Sequence, residues 1–130
     1  MVAYSFKARF APKIIDKTKA QTIRAHRLKR SRHARAGEEL QLYTGMRTKQ
    51  CKLIRKAECL SVETIRLDFA ERHITIGDLE KPRIEVEKQA GLNTFARMDG
   101  FADWSDLCAF WEAEHGTLDR FDGVLIRWAP

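Results

Sequence analysis

The sequence predicts a small α+β domain on a curled sheet, with about six short strands, one well-marked helix and one short helix. Three observations predict it. Stretches of apolar and polar alternation recur, as in AYSF, ELQLYT, HITIG and PRIEVE. A single segment, DWSDLCAFWEAEHG, carries helical spacing with start and stop signals. No repeat or low-complexity linker divides residues 1–130, which are therefore expected to form one domain. A chain of this length buries roughly two-thirds of its unfolded surface, enough for a real core.

Taken in order, AYSFKARF opens the chain as a half-buried strand. APKIIDKT follows as a short helix, because Pro12 suits a first turn and Ile14 with Ile15 offers a small apolar face. TIRA reads as a short extended piece, and the arginine-rich segment after it as a loop ending near Gly37. ELQLYT sets Leu40, Leu42 and Thr44 on one side, with Gln41 and Tyr43 on the other. TGMRTKQ is a loop around Gly45. KLIRKAECLSVETIRLDFA suits helix or strand by composition; its β-branched residues favour two strands, KQCKLIRKAECL and ETIRLDF, with a turn at Ser61. HITIGDL and PRIEVE suggest a further strand pair. In the well-marked helix Asp103 or Ser105 caps the start, Leu107, Phe110 and Trp111 share a face, and Gly116 stops it. FDGVLIRWAP is expected to be a closing, central strand.

The net charge of +6 comes from 24 Lys and Arg against 18 Asp and Glu. Removing the six cations from Arg24 to Arg35 leaves 18 against 18, so the whole excess lies in one segment. Such a tract has three readings: it grips the phosphates of nucleic acid, steers an anionic ligand, or is a solvated loop. The first is favoured, through Arg27, Lys29, Arg30, Arg32 and Arg35, since the planar arginine fork suits phosphate and base contacts. Three cysteines without a CxxC pair fit a reducing cytoplasm. KARFAPK places charge where a secretory signal needs an apolar stretch, and no run approaches the roughly 20 residues of a membrane span. No His lies at metal-ligand spacing from a Cys, and no Walker or GxGxxG loop is present, so neither metal nor cofactor is expected.

Chemistry concentrates in KTKAQTIR, residues 17–24. In an extended TIR, Thr22 and Arg24 share a face, with Lys19 at the turn leading in. A lysine serves as base only when partly neutral, and burial or a neighbouring cation lowers its pKa. Arg24 suits an oxygen that gains negative charge. On spacing alone, plain surface polar residues are the favoured reading.

KTKAQTIR resembles the signature of the ASCH superfamily, PUA-like β-barrel proteins with the pattern G-x-K-x-x-E-x-R. The lysine is Lys19 and the arginine Arg24, while Lys17 stands at the glycine position and Thr22 at the glutamate. The threonine form is similar to the branch holding small bacterial amidohydrolases of N(4)-acetylcytidine. ELQLYTGMRTKQC and ARMDGFADWSDLCAFWEAEHG resemble further segments of bacterial and phage ASCH proteins, over residues 4–128 in all. The resemblance implies a small barrel of about six strands with two flanking helices. It also implies a catalytic group of Lys19, Thr22 and a carboxylate, carried onto Asp99 before the Gly-Phe step, with Asp103 the other candidate. Arg24, Tyr43 and Arg47 would bind the modified cytosine nucleoside, Tyr43 by stacking; the plain alternative for Tyr43 is core packing. The same superfamily holds RNA-binding modules, some with single-strand ribonuclease activity, which makes RNA the alternative partner.

The remaining residues read more plainly. Cys51 suits a buried strand position or the cleft wall, and Trp104, Phe110 and Trp111 read as core packing more than as a base-stacking platform.

Overall fold

The structure, a computed structural model, describes residues 1–27 and 32–130. Among the described residues seven strands and three α-helices follow in the order β1 (Val2–Phe6), α1 (Ala11–Ile15), β2 (Gln21–Arg24), β3 (Glu39–Thr44), β4 (Lys52–Asp68), β5 (His73–Gly77), β6 (Pro82–Val86), α2 (Gln89–Met98), α3 (Trp104–His115) and β7 (Arg120–Trp128). The alternation read in the sequence is the burial pattern of β1, β3 and β6, whereas β5 also buries Thr75 between Ile74 and Ile76. Leu40 and Leu42 in β3, Ile65 and Leu67 in β4, and Ile74 in β5 are all fully buried. Each such side chain is worth roughly 1.5–3 kcal/mol of burial, which holds these short strands in register.

The strands form one mixed sheet. β1 runs parallel to β3, and every other pairing is antiparallel. β4 organises it: its first half pairs with β3, its second half pairs with β7, and its last four residues lie between β5 and β7. β2 adds to the far side of β7. The expected turn at Ser61 is corrected, because Lys52–Asp68 is one continuous strand. A register shift between Cys59 and Ser61 marks where β7 pairing begins, so Ser61 sits at a bulge that bends the strand without ending it. The expected closed barrel is corrected too: among the described residues no ladder joins β1 to β2. A side chain crosses that gap instead, with Arg24 Nη2 donating to the Ser5 carbonyl at 2.7 Å.

α2 and α3 pack on each other, and α1 packs on β4. α1 is short, as its sequence suggests, with Pro12 in its first turn and Ile14 fully buried. α2 is the element that the sequence reading lacked; Leu92, Phe95 and Ala96 form its buried stripe. α3 starts where expected, with the Asp103 side chain accepting from the Asp106 N–H at 2.8 Å. Trp104 is buried and stacked on Phe69, with ring centroids 6.1 Å apart. Among the described residues no helix is long and apolar enough to cross a membrane.

Gly123 sets how closely β2 and β7 approach. A Cβ there would lie 2.4 Å from the Arg24 carbonyl oxygen and 2.6 Å from Phe121 Cε1. Main chain cannot yield as a flexible side chain does, so Gly123→Ala is expected to cost at least the 1–3 kcal/mol or so of core overpacking. A lower urea midpoint at unchanged m-value would register it.

Candidate active site

The chain turns Lys19 inward with local chemistry. After α1, Lys17 takes a left-handed φ of 72°, and the Asp16 carboxylate accepts from both the N–H and the hydroxyl of Thr18. The Lys19 N–H then donates to the Lys13 carbonyl, and the side chain enters the interior with only 2% exposure. Its Nζ donates to the main-chain carbonyl of Asp99 at 2.5 Å and stands 3.7 Å from Asp99 Oδ1. The ring centroids of Phe10 and Phe6 lie 4.8 and 5.5 Å from the same nitrogen.

Asp99 ends α2, and Gly100 follows with φ 97°. A Cβ on Gly100 would stand 2.7 Å from Lys19 Cδ and 3.0 Å from Phe10 Cδ1, so the bare glycine is the floor across which the lysine stem runs. Phe101, 2% exposed, packs edge-on against Phe10.

From β2, Thr22 and Arg24 share a face as expected. Arg24 Nε donates to Thr22 Oγ1 at 3.1 Å. The guanidinium lies over the rings of Phe6 and Tyr4, 4.9 and 5.3 Å from their centroids. Its bonds to Thr22 and Ser5 use two of its five N–H groups.

Lys19, Thr22, Arg24 and Asp99 all line one cleft of about 290 Å³. Phe6, Phe10, Phe101, Phe110, Trp111 and Phe121 supply its apolar walls. At the rim Lys7 and Glu114 form an ion pair at 2.8 Å, and His115 packs on Trp111. Burial lowers the Lys19 ammonium to about 8; Asp99 opposes the shift, and Arg24 and Arg9 reinforce it. Burial likewise raises the Asp99 carboxyl, against the pull of Lys19, Gln21 and Arg24. The site therefore holds an amine near neutrality, a hydroxyl hydrogen-bonded to a guanidinium, and a carboxyl group in an apolar recess. Such a set can move a proton and receive developing negative charge.

Other expected residues lie elsewhere. Tyr43 does not line the cleft; it shares the Gln41 face of β3, opposite the buried Leu40 and Leu42, and its hydroxyl donates to Gln41 Oε1 at 2.9 Å. Arg47 is exposed in the β3–β4 turn with φ 68° and does not line the cleft either. Asp103 is the α3 cap and does not line the cleft. Cys51 is exposed, just ahead of β4, and is neither buried nor in the cleft wall. Trp104 is core, whereas Phe110 and Trp111 also face the cleft.

In the arginine tract, Lys29 and Arg30 lie outside the described residues. Arg32 makes a two-pronged contact with Glu38 at 2.6 and 2.8 Å, and these bonds, with that from the Arg35 N–H, hold the Glu38 carboxyl at about 2. Arg27 donates to the Arg32 carbonyl and lies over Tyr4. The Arg35 side chain is exposed. Tyr4 anchors the far end of the tract: its hydroxyl is 2.9 Å from His33 Nδ1 and accepts from the Ala34 N–H.

The sequence reading missed Gln21, Gly100, Glu114 and His115. Gly100 was visible in the Gly-Phe step but had no role there, and Gln21 lay unremarked between Lys19 and Thr22. Glu114 and His115 carry no local signal, since only the packing of α3 brings them to the rim. Among the described residues no three His, Cys, Asp or Glu side chains gather as a metal site requires. Comparison of the chain with family models, with curated proteins and with solved structures returns no match.

Proposed function

We propose that the chain is an amidohydrolase of the ASCH type, on a PUA-like fold, that removes acyl groups from N(4)-acylated cytosine nucleosides such as N(4)-acetylcytidine. The observation that carries this reading is the convergence of Lys19, Thr22 and Arg24, from one short segment, with Asp99 from the distant end of α2 on one aromatic-walled cleft. The left-handed φ at Lys17 also supports it, since the motif has glycine at that position and glycine adopts the conformation without strain.

In the reaction, neutral Lys19 takes a proton from a water held at Thr22, and the resulting hydroxide adds to the acyl carbonyl. The remaining N–H groups of Arg24 receive the oxyanion. Collapse of the tetrahedral intermediate breaks the C–N bond, and the Lys19 ammonium returns its proton to the departing cytosine amine. Asp99 holds Lys19 in place during both transfers, and the products are a carboxylate and cytidine.

The test is incubation of the chain with N(4)-acetylcytidine, following cytidine release by chromatography. Thr22→Ala is expected to slow release by about 10²-fold or more, as misplacement of an attacking water does. Unchanged release in that variant removes Thr22 from the site, and no release from any acylated cytidine removes the function. The rival reading is an RNA-binding module, for which the exposed Arg27 and Arg35 speak. Pairing of Arg32 with Glu38 speaks against it, because that charge is already neutralised. Salt-sensitive retention of single-stranded RNA without cytidine release would favour the rival.

A further inference from the structure

We propose that Gln21 is a positioning residue whose carboxamide holds the Asp99 carboxylate away from Lys19, leaving the lysine capped by the Asp99 main-chain carbonyl. Four distances carry this. Lys19 Nζ is 2.5 Å from the Asp99 carbonyl oxygen but 3.7 Å from Oδ1 of the same residue. Gln21 Nε2 donates to that Oδ1 at 3.3 Å. At its other end, Gln21 Oε1 accepts from Arg127 Nε at 3.4 Å. Arginine only donates, so Arg127 orients the amide and presents its NH₂ to Asp99.

Burial makes the arrangement consequential. Gln21 is 1% exposed and Asp99 4%. With little water to screen them, an ammonium and a carboxylate this close are drawn into direct contact unless another bond holds one back. Direct contact would favour the charged amine and remove the base. A neutral amide opposes it without adding charge. Asp99 faces Lys19 from the end of α2, Arg24 from β2 and Arg9 from the turn before α1, with the Phe6 and Phe10 rings completing the surround. Arg127 is the cation on the far side of Gln21, within the field of Glu63 and Arg83.

The test reads Lys19 directly and needs no substrate. In the full chain labelled with ¹³C and ¹⁵N at lysine, the Lys19 signal is assigned by its loss in Lys19→Met and titrated by NMR. In Gln21→Met the midpoint is expected to move alkaline, by about tenfold in proton affinity, as the freed carboxylate closes on the amine. Adding Asp99→Asn should abolish that response to Gln21→Met, because no carboxylate remains to move. An unchanged or acid-shifted midpoint in cooperatively folded Gln21→Met overturns the proposal, and so does a shift that survives Asp99→Asn. Should Gln21→Met fail to fold, Gln21→Asn is read in its place, since it keeps an amide but withdraws the donor. The kinetic counterpart rests on the proposed amidohydrolase reading: the rising limb of kcat/KM should follow the NMR midpoint. If turnover is absent, that reading fails while the titration still decides the role of Gln21.

Discussion

Replacement of Lys19 by Met is expected to reduce N(4)-acetylcytidine turnover by about 10²–10⁴-fold, the usual contribution of a positioned acid–base group. Lys19→Arg should fail as completely, although it keeps a cation, because a guanidinium does not release its proton near neutral pH. In the unmodified chain kcat/KM is expected to rise as pH passes through about 8, where the buried ammonium becomes the amine that accepts a proton. Stability carries the same shift with a definite sign. Lys19 loses its proton at about 8 in the folded chain but near 10.4 when unfolded, so between those values the unfolded state binds more protons. Its contribution to stability therefore rises with pH across that window, and the melting temperature of the unmodified chain should gain on that of Lys19→Met. A pH-independent difference in melting temperature, together with a flat kcat/KM profile, would return Lys19 to a purely structural role.

Gly100→Ala is expected to damage stability and site together. At φ 97° any side chain meets its own backbone, at a cost of roughly 1–2 kcal/mol. Contacts of 2.7 Å with Lys19 Cδ and 3.0 Å with Phe10 Cδ1 add overpacking of about 1–3 kcal/mol. The sum is a sizeable share of the 5–15 kcal/mol or so that holds a domain of this size folded. The lysine stem is the softer neighbour, so it moves first and takes Nζ off the Asp99 carbonyl. Urea melts should show the lost stability, and turnover should fall beyond what the remaining folded fraction explains. Full activity at full stability would show that the stem has room to spare.

Much of the fold was legible because burial repeats with the period of the secondary structure. β1, β3 and β6 alternate, β5 and β7 bury consecutive residues as central strands do, and Asp103, Trp104 and Gly116 bound α3. α2 escaped notice because its buried stripe is only Leu92, Phe95 and Ala96 beside an exposed Met98. The continuity of β4 escaped because a bulge and a turn both accommodate a small polar residue such as Ser61. Closure of the sheet is a long-range property: the gap between β1 and β2 is crossed by Arg24, a residue that the sequence offered only as a ligand group.

For the site, residues 17–24 already contained Lys19, Thr22 and Arg24, and the alternation of a strand was enough to put the last two on one face. Local pattern reaches no further than that. That Lys19 is buried, that Asp99 meets it through its main chain, that Gln21 holds the carboxylate aside and that Arg32 is neutralised by Glu38 are outcomes of packing. Each depends on where separate elements come to rest, and protonation follows desolvation, which exists only once the interior has formed.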